Sequence, residues 1–538
     1  MSCSPTQEDE DTETLYVRSA VLSLKRDAWH AIYHRNFGGL CLVDDAAKEV
    51  LDSFSKPQRI TDGVLHGEDT SPEAKLIRQY ILRNFLVLSQ DSAQRRVDAG
   101  ACHDPEGGKL KVVQLVVANA CNFGCTYCFE GIQGGDGSPT SSAIAKDVEG
   151  RTIRRRTEGE VAAQGENTKA MVINLHDSVY TGKDRAQHQS DPRNRLMRPE
   201  AAIDYVAKSI SLAKSSGVTA MVIQFFGGEP LLNWPAIEGV LKKFGHGDNF
   251  GVSLDYSIVT NGSLISEEVS KAFAQYNVAV CVSFDSPIST SRKLKNGESS
   301  IPLVIEGLRI LRRFNNRVAI NAALSVDTWD FCNDSLIEFA SQQGVKEIGV
   351  VLDLSPSFYT RFGQDRIVER LWQLVDCGRR HGIVVTGYWH QIFQLLCGVD
   401  AVRPRGYKMC SAKGCQFSIE PNGSVFSCKG ASGYFGTISE GERLLKTNAF
   451  QRHALLSGQN PEQCQGCDIE AFCSGFCLGP LEKKYGRIDV VETEICPVYK
   501  GITKKLIENV IPYEIPTFDL TRARQNPATL HNAARSSN

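Results

Sequence analysis

Residues 121–130 read CNFGCTYCFE, and the three cysteines in this stretch decide how the rest of the chain is interpreted. Cys121, Cys125 and Cys128 have the spacing C-x3-C-x2-C, with the aromatic Tyr127 directly before the third cysteine. Three thiolates on one short loop can hold three irons of a 4Fe–4S cube and leave the fourth iron without a protein ligand. Such an open iron can bind and activate a substrate, whereas a fully ligated cluster only transfers electrons.

Two other metal sites would use the same cysteines. A closed ferredoxin-like cluster needs a fourth cysteine, and the nearest one downstream, Cys281, is far away along the chain. A structural zinc site is normally closed by four ligands, and His103 or His176 would have to supply the fourth without any motif spacing. The open 4Fe–4S site is therefore the expectation.

The sequence around the loop predicts a parallel α/β architecture. An apolar run of strand length, KVVQLVVANA at 111–120, ends directly on Cys121. Five further strand-like runs follow, separated by amphipathic helical stretches: MVIQFF (221–226), LDYSIVT (254–260), VAVCVSF (278–284), VAINAALSV (318–326) and KEIGVVLDL (346–354). Strands alternating with helices favour a parallel sheet. In α/β barrels the chemistry lies at the carboxyl ends of the strands, which is where the cysteine loop begins.

Polar and glycine-rich motifs end the next three strands. The second strand ends on GGEP, residues 227–230, where Gly227 and Gly228 would let the backbone approach a ligand closely. Glu229 would place a carboxylate beside a cationic ammonium group. The third strand is followed by Thr260-Asn261-Gly262, and the fourth closes with Ser283-Phe284-Asp285. On spacing alone, each of these motifs fits a turn better than a ligand site.

A second group of cysteines lies near the C-terminus. Eight of the 18 cysteines fall within 410–496, namely Cys410, Cys415, Cys428, Cys464, Cys467, Cys473, Cys477 and Cys496. Four of them have the spacing C-x2-C-x5-C-x3-C. A pair of zinc sites is the alternative to iron–sulfur clusters here, because C-x2-C also suits zinc.

The three-cysteine loop, followed at the next strand end by GGEP, resembles the signature of the radical S-adenosylmethionine (SAM) superfamily. The resemblance implies that Gly227, Gly228 and Glu229 bind the amino group of SAM. It further implies that Asn261, Ser283 and Asp285 contact the ribose and carboxylate of SAM. The expected fold is a partial (β/α)6 radical SAM barrel.

The C-terminal array resembles the SPASM extension of the same superfamily, which carries two auxiliary 4Fe–4S clusters. That pattern implies a first auxiliary cluster on Cys410, Cys415, Cys428 and Cys477. It implies a second on Cys464, Cys467, Cys473 and Cys496. The resemblance covers roughly 109–505 and predicts three 4Fe–4S clusters in all.

The remaining segments complete the predicted domain organisation. We expect disorder in 1–14, a small α+β N-terminal unit at 15–105, the radical SAM core at 106–400, the SPASM domain at 401–505 and a tail at 506–538, disordered from about Thr521. The N-terminal unit resembles the small winged-helix element by which many peptide-modifying enzymes bind a leader peptide; a structural cap over the barrel is the alternative. Within the core, 132–197 is rich in Gly, Ser, Asp, Arg and Gln and predicts a mobile insertion. That insertion would be a lid, a partner contact or a disordered segment without a catalytic role.

Composition limits where the protein works and what it binds. The net charge of −2 gives no general attraction to nucleic acid or to an anionic membrane. No run of residues approaches the roughly 18 consecutive apolar residues of a membrane span, and the polar, acidic N-terminus is neither a signal nor a transit peptide. The sequence therefore predicts a cytoplasmic protein, in which cysteines serve as metal ligands rather than in disulfides.

The family resemblance implies a function. The first cluster would cleave SAM reductively, and the resulting 5′-deoxyadenosyl radical would remove a hydrogen atom from the substrate. Members with a SPASM extension typically act on peptides and proteins. The expectation is therefore an enzyme that oxidises or crosslinks a side chain in a peptide or protein, supplied with electrons by a low-potential donor such as flavodoxin or ferredoxin.

Two other functions are alternatives to a peptide-modifying enzyme. Anaerobic sulfatase maturation converts Cys or Ser to formylglycine, but those enzymes resemble one another in an acidic residue after the third auxiliary cysteine, where this chain has Lys429 after Cys428. A non-catalytic iron–sulfur electron carrier would have no need of Glu229. His390 and Asp353, near the late strands, would face the cavity or serve as ordinary structural polar residues; the structural role is the expectation, and no proton acceptor is predicted.

Overall fold

The computed structural model describes most of the chain. The described residues are 15–35, 37–89, 109–128, 145–146, 152–153, 194–353, 355–398, 414–431, 433–455, 464, 466–470, 472–473, 477, 479, 491–492, 494–510, 515–526 and 531–532. The predicted disorder of 1–14, nearly all of the predicted insertion at 132–197, and Cys410 lie outside them.

The N-terminal unit combines two small sheets with three helices. Its elements are β1 (Leu15–Arg18), β2 (Val21–Arg26), β3 (Trp29–His34), β4 (Gly38–Asp44), α1 (Asp45–Ser53), β5 (Gln58–Arg59), α2 (Asp62–His66), α3 (Pro72–Leu82) and β6 (Leu86–Leu88). Asp44 caps α1 by accepting a hydrogen bond from the Ala47 N–H, and Ser71 caps α3 in the same way ahead of Pro72. Strand β1 pairs with β5 and β6, while β2, β3 and β4 form an antiparallel meander.

The central part of the chain alternates strands and helices. Its strands are β7 (Val112–Ala118), β8 (Phe123–Cys125), β9 (Ala145–Lys146), β10 (Thr152–Ile153), β11 (Ala220–Gly227), β12 (Ser253–Thr260), β13 (Ala279–Ser283), β14 (Arg292–Leu294), β15 (Val318–Leu324), β16 (Glu347–Leu352) and β17 (Val384–Thr386). Its helices are α4 (Pro199–Ser215), α5 (Trp234–Phe244), α6 (Glu267–Gln275), α7 (Ile301–Arg313), α8 (Asp334–Gln342), α9 (Pro356–Phe362), α10 (Gln364–His381) and α11 (Tyr388–Cys397). Two 3-10 helices, Pro230–Asn233 and Asp248–Phe250, complete this part.

One ten-stranded sheet organises the core. Its order is β17-β16-β15-β13-β12-β11-β7 followed by three C-terminal strands, and every pair from β17 to β7 is parallel. The six strands predicted from sequence lie side by side in this sheet, so the parallel α/β prediction is confirmed. The sheet also contains β17, a seventh parallel strand at the edge, which the sequence analysis did not identify.

The pleat of the parallel strands separates a packed face from an inner face. Along β11, Met221, Ile223 and Phe225 are buried in the main core, while the alternating residues Gln224 and Phe226 are only half-buried. This alternation follows from the two-residue period of a strand. One face of β11 is therefore packed in the main core, and the other face carries the partly accessible side chains.

The C-terminal region continues the sheet of the core. Its elements are β18 (Gln416–Ile419), β19 (Ser424–Phe426), β20 (Tyr434–Thr437), a 3-10 segment (Ile438–Lys446), α12 (Asn448–Leu455), β21 (Val491–Glu492) and α13 (Cys496–Glu508). Strand β18 pairs parallel with β7, and β19 and β20 follow in antiparallel order. The Cys415 carbonyl accepts hydrogen bonds from the N–H groups of Lys111 and Val112, which fixes this region at the start of β7. Strand β21 pairs with β9 in a separate small sheet.

The prediction of disorder from Thr521 onward is wrong for the described part of the tail. Three more elements, β22 (Thr517–Phe518), α14 (Leu520–Gln525) and β23 (His531–Asn532), return to the N-terminal unit, where β22 pairs parallel with β4. Phe518, Leu520 and Ala523 are fully buried in the core of that unit. These few apolar residues anchor a segment whose mostly polar composition concealed it. Among the residues described, no helix is both long and apolar enough to cross a membrane.

Candidate functional site

The cysteine loop starts where β7 ends and is held by a second chain segment. Strand β8 pairs antiparallel with β14, so that Cys125 lies opposite Arg292 and Gly124 opposite Lys293. The Thr126 N–H donates to the Ser291 carbonyl at 3.0 Å, which extends this pairing toward Cys128. The loop therefore starts at the end of β7 in the large sheet and pairs with β14 in a separate two-stranded sheet.

The three thiols occupy one small region. Cys121 and Cys125 are half-buried and Cys128 is exposed. Burial raises the pKa of Cys121, and it raises that of Cys125 to about 11; charge on the neighbouring thiols raises both further, whereas the Arg292 cation lowers the pKa of Cys125. Thiols that resist ionisation beside one another become thiolates when a metal centre binds them. Three such donors on one loop fit the family's three-ligand iron–sulfur cluster.

No three His, Cys, Asp or Glu side chains within the described ranges are placed to hold one metal ion. A 4Fe–4S cube does not require such convergence, because each thiolate binds a different iron.

The GGEP segment packs against the chain just before the first cysteine. Its N–H groups donate to that chain, from Gly228 to the Ala118 carbonyl and from Glu229 to the Ala120 carbonyl, each at 2.8 Å. A Cβ on Gly227, whose φ is +152°, would lie 2.2 Å from the Ala118 oxygen, and one on Gly228 would lie 2.6 Å from the Ala120 oxygen. The glycines therefore allow a close approach to the chain's own backbone, which brings Glu229 next to the loop.

Glu229 is a fully buried carboxylate with a defined set of donors. It accepts hydrogen bonds from the Thr260 hydroxyl at 2.7 Å, the Asn261 N–H at 2.7 Å and the Leu231 N–H at 3.0 Å. Burial raises the pKa of Glu229, and these hydrogen bonds oppose the rise. A buried carboxylate held in one orientation is suited to a cationic partner that restores the lost solvation.

Asn261 joins this carboxylate to the cysteine loop. Its side-chain nitrogen donates to the Asn122 oxygen at 2.8 Å and lies 3.9 Å from the Cys121 sulfur. Its side-chain oxygen accepts from the Ser263 N–H and hydroxyl. The structure therefore brings together Glu229, Asn261 and Cys121, which the sequence had placed in separate motifs.

Asp285 and Tyr127 tie the loop to the fourth predicted strand end. The Tyr127 hydroxyl donates to Asp285, whose other oxygen accepts the Ala323 N–H at 3.1 Å, and Arg292 donates to the Tyr127 oxygen at 2.8 Å. Burial raises the pKa of Asp285, and the Arg292 cation lowers it. Asp285 thus holds the loop, although the family resemblance had suggested a contact with SAM.

A small pocket adjoins this cluster of side chains. Ser283, Asp285 and Arg292 line it together with Ser300 at the start of α7. The Nε of Arg292 is buried and has no hydrogen-bond partner among the described residues. Sequence reasoning missed Arg292, because its place opposite Cys125 follows only from the pairing of β8 with β14.

Two sets of contacts bring several of the C-terminal cysteines together, and Cys477 takes part in both. A Cβ on Gly479 would lie 2.4 Å from the Gly430 carbonyl oxygen, so the chain just after Cys477 passes directly against the chain just after Cys428. Around the buried Tyr499, thiols of Cys473, Cys477 and Cys496 are close enough to raise its pKa, although burial is the larger cause. All seven described cysteines of the array are half-buried.

The two late polar residues have structural surroundings. Asp353 accepts a hydrogen bond from the Ser355 N–H at 2.8 Å, and burial raises its pKa. His390 lies beside the rings of Trp389 and Phe393, and burial lowers its pKa to about 4.

Comparisons with known proteins agree with this geometry. The sequence model of the radical SAM superfamily matches residues 115–326. The chain is 36% identical over 505 residues to the radical SAM cyclopropyl synthase TigE of Paramaledivibacter caminithermalis, covering 91% of this chain and 96% of that protein. It is 23% identical over 313 residues to a cysteine-type anaerobic sulfatase-maturating enzyme of Clostridium novyi, covering 53% of this chain and 80% of that one.

A solved structure shares the fold. Native anSMEcpe with bound AdoMet and Cp18Cys peptide aligns with a TM-score of 0.52 at 16% identity, covering 78% of this chain and 99% of that one. The similarity to TigE extends over nearly the whole chain and includes the region of the cysteine loop. The cysteine loop, the buried Glu229 beside it and the parallel sheet agree with this similarity. The chain belongs to the radical SAM superfamily and is a radical SAM enzyme.

Proposed function

We propose that this enzyme uses SAM to modify a side chain in a peptide or protein substrate by oxidation or crosslinking. Membership of the superfamily implies a 4Fe–4S cluster and SAM, which together supply a one-electron reductive cleavage that yields a 5′-deoxyadenosyl radical. The observation that carries the proposal is that one sheet connects the two groups of cysteines. Strand β7 leads into the Cys121 loop, and the same strand pairs with β18, which starts directly after Cys415. A second group of cysteines built onto the catalytic core suits a reaction that must remove an electron from its substrate.

Two auxiliary 4Fe–4S clusters are part of the proposal. Cys410, Cys415, Cys428 and Cys477 would hold the first, and the close approach of Gly479 to Gly430 supports the pairing of Cys428 with Cys477. Cys464, Cys467, Cys473 and Cys496 would hold the second. These two sets correspond to the SPASM region proposed for 401–505.

The described side chains have distinct tasks around SAM. Glu229 would bind the ammonium group, since its carboxylate is buried and oriented. Arg292 would donate a hydrogen bond to the SAM carboxylate from its Nε, which has no hydrogen-bond partner among the described residues. Ser283 lines the pocket beside it. Asn261, Ser283 and Asp285 would contact the ribose and carboxylate of SAM, and the side chains of Asn261 and Asp285 would also hold the cysteine loop in place.

We further propose formation of a cyclopropyl group as the reaction class. The support is the similarity to a cyclopropyl synthase over nearly the whole chain. Closing a three-membered ring on a side chain removes two hydrogens from the peptide. The peptide-bound anSMEcpe structure shares the fold, and the N-terminal unit would recognise the leader of such a peptide. A low-potential donor such as flavodoxin or ferredoxin would supply the electron.

Formylglycine formation is the less supported alternative. The position after Cys428 holds Lys429, whose side chain is buried beside Glu420. The position after Cys428, at which the sulfatase-maturating enzymes share an acidic residue, therefore carries a basic residue in this chain. A peptide product carrying the change on Cys or Ser would revive this alternative.

The test begins with the anaerobically reconstituted enzyme. Three clusters predict about twelve irons and twelve sulfides per chain, and about four irons with zinc present would contradict the auxiliary clusters. The enzyme is then co-expressed with candidate precursor peptides, and each peptide is analysed by mass spectrometry. A loss of two hydrogens on an aliphatic residue supports the proposal. An unchanged mass in every peptide, together with consumption of SAM on a small metabolite, would contradict it; the matched control is Cys125→Ala, which should abolish any change.

A further inference from the structure

A buried ion pair lies between the two cysteine-bearing regions. The Nζ of Lys429 is 3.7 Å from an oxygen of Glu420, and each side chain is only 1% exposed. Lys429 directly follows Cys428, and Glu420 directly follows β18. Neither residue is near solvent, so the pair does not belong to the exposed ion pairs of the surface.

Asn119 connects this pair to the catalytic loop. Its side-chain oxygen accepts from the Lys429 ammonium at 2.8 Å, and its side-chain nitrogen donates to Glu420 at 2.7 Å. Asn119 stands two residues before Cys121, at the end of β7. A third contact lies lower on the same strand, where the Lys429 N–H donates to the Gln114 side-chain oxygen at 2.8 Å. The lysine therefore spans β7 from its middle to its cysteine-bearing end.

Such a pair is costly to bury. Two charges lose their hydration, and apolar residues of similar volume usually stabilise a protein as well or better. At the same time a single charge in a buried, low-dielectric site acts over a longer distance than it would in water. The two charges of Lys429 and Glu420 cancel at long range, whereas either one alone would act on the nearby cluster.

We propose that Lys429 and Glu420 form a charge-neutral clasp that fixes the reduction potential of the cluster held by Cys121, Cys125 and Cys128, while joining its loop to the C-terminal region. Net charge near an iron–sulfur cluster is one of the factors that set its potential. A lone cation favours the added electron, and a lone anion opposes it. The two residues are positioning residues, since they are buried against each other and out of reach of a substrate. The inference does not depend on the identity of the peptide.

Single charge removals in the reconstituted full-length enzyme test this inference. In Lys429→Met the lysine no longer offsets the negative charge of Glu420, and the reduction potential should fall. In Glu420→Gln the glutamate no longer offsets the positive charge of Lys429, and the potential should rise. The double variant removes both charges and should return close to the wild-type potential. The potential is followed by EPR during a redox titration, and the cluster in question is identified as the one whose signal changes when SAM is added.

Controls separate this electrostatic role from a merely structural one. Lys242 and Glu238 form an exposed ion pair in α5, 2.7 Å apart, and Lys242→Met or Glu238→Gln should leave the potential unchanged. Lys429→Arg keeps the charge and should restore most of the wild-type potential. If Lys429→Met fails to fold, Glu420→Gln and the double variant still give different expectations, a raised potential for the first and a potential close to wild type for the second. Shifts of the two single variants in the same direction, or no larger than those of the controls, would overturn the proposal.

Discussion

The hydroxyl of Tyr127 donates a hydrogen bond to the buried carboxylate of Asp285, and this contact ties the cysteine loop to the end of β13. Asp285 is fully buried, and its second oxygen is held by the Ala323 N–H of the neighbouring strand β15. Arg292 donates to the same tyrosine oxygen from the strand paired with the loop. The aromatic residue of the cysteine motif thus connects three segments that are distant in sequence.

Removing this hydroxyl should loosen the loop. In Tyr127→Phe the ring remains, but one buried oxygen of Asp285 loses its donor, while the other keeps the Ala323 N–H. Leaving a buried polar group unpaired costs about 1–3 kcal/mol, and more for a charged group. We expect lower thermal stability and a lower iron content after reconstitution, measured by unfolding and by iron analysis.

Tyr256→Phe is the matched control for that variant. Tyr256 is also buried, and its hydroxyl donates to the Gly245 carbonyl at 2.7 Å. This substitution should lower stability to a similar degree while leaving the iron content at the wild-type level. Equal iron loss in both variants would show that Tyr127 has no special role at the loop.

Gly228 should not tolerate a side chain. In Gly228→Ala the new Cβ would lie 2.6 Å from the Ala120 oxygen, which is backbone and cannot move aside without shifting Cys121. Overpacking of this kind costs about 1–3 kcal/mol, and we expect a marked loss of SAM binding. The control is Gly124→Ala in the same loop, where nothing lies within 4 Å of the added Cβ. Isothermal titration with SAM compares the two, and equal affinities would contradict this account.

Glu229→Gln should weaken SAM binding without removing the cluster. The amide keeps the size of the carboxylate but loses the charge that would face the ammonium group. The two carboxylate oxygens together accept hydrogen bonds from three donors, and in the amide one of these oxygens is replaced by an NH2 group, which donates. A charged hydrogen bond contributes about 1.5–3 kcal/mol, so the dissociation constant for SAM should rise roughly 10- to 100-fold. The iron content should stay unchanged. Unchanged SAM affinity would mean that Glu229 supports the loop only.

The parallel core could be predicted because its pattern is local. Helix α4, from Pro199 to Ser215, is one of the amphipathic stretches predicted to separate the strands, and β12 keeps the predicted end at Thr260. Strand β17 was missed because it has only three residues, and its place in the sheet is set by pairing with β16. Pairing partners distant in sequence leave no periodic signal in either segment.

The site was predictable in its residues but less so in its contacts. Glu229 and Asn261 follow from motifs at strand ends, and the structure places them together. The contact of Asp285 with SAM stays a prediction, and the sequence does not indicate that its side chain accepts hydrogen bonds from Tyr127 and Ala323. Lys429 was noticed only as a departure from a pattern, because its partner Glu420 belongs to a different strand end. Such contacts depend on three-dimensional packing, which one sequence does not record.

Asp44 should be needed to hold the C-terminal segment on the N-terminal unit. Its carboxylate caps α1 and also accepts hydrogen bonds from the N–H groups of Leu520 and Thr521, at 3.1 and 2.9 Å. Loss of a helix cap alone costs about 1 kcal/mol. The substitution Asp44→Ala would also remove the hydrogen bonds that Leu520 and Thr521 donate to this carboxylate. Limited proteolysis should then cleave within 515–526 faster than in wild type. Asp45→Ala, at the exposed first position of α1, should leave the cleavage rate unchanged.

His390 should make the folded state sensitive to acid. Burial and, to a smaller extent, the Arg379 cation lower its pKa to about 4, while the unfolded chain has the ordinary value of about 6.5. Above pH 6.5 the imidazole is neutral in both states. As the pH falls from 6.5 to 4, the unfolded state binds a proton that the folded state does not, so the free energy of unfolding decreases, by at most about 3 kcal/mol.

The variant His390→Phe removes this titration and keeps a ring between Trp389 and Phe393. His34 has a similarly lowered pKa of about 4 and contributes a loss in the same pH window. The thermal midpoint of His390→Phe, measured between pH 7 and 4.5, should therefore fall about half as steeply as that of wild type. The exposed His246→Phe serves as the control. A pH dependence in His390→Phe as steep as that of wild type would mean that His390 takes up its proton in the folded protein.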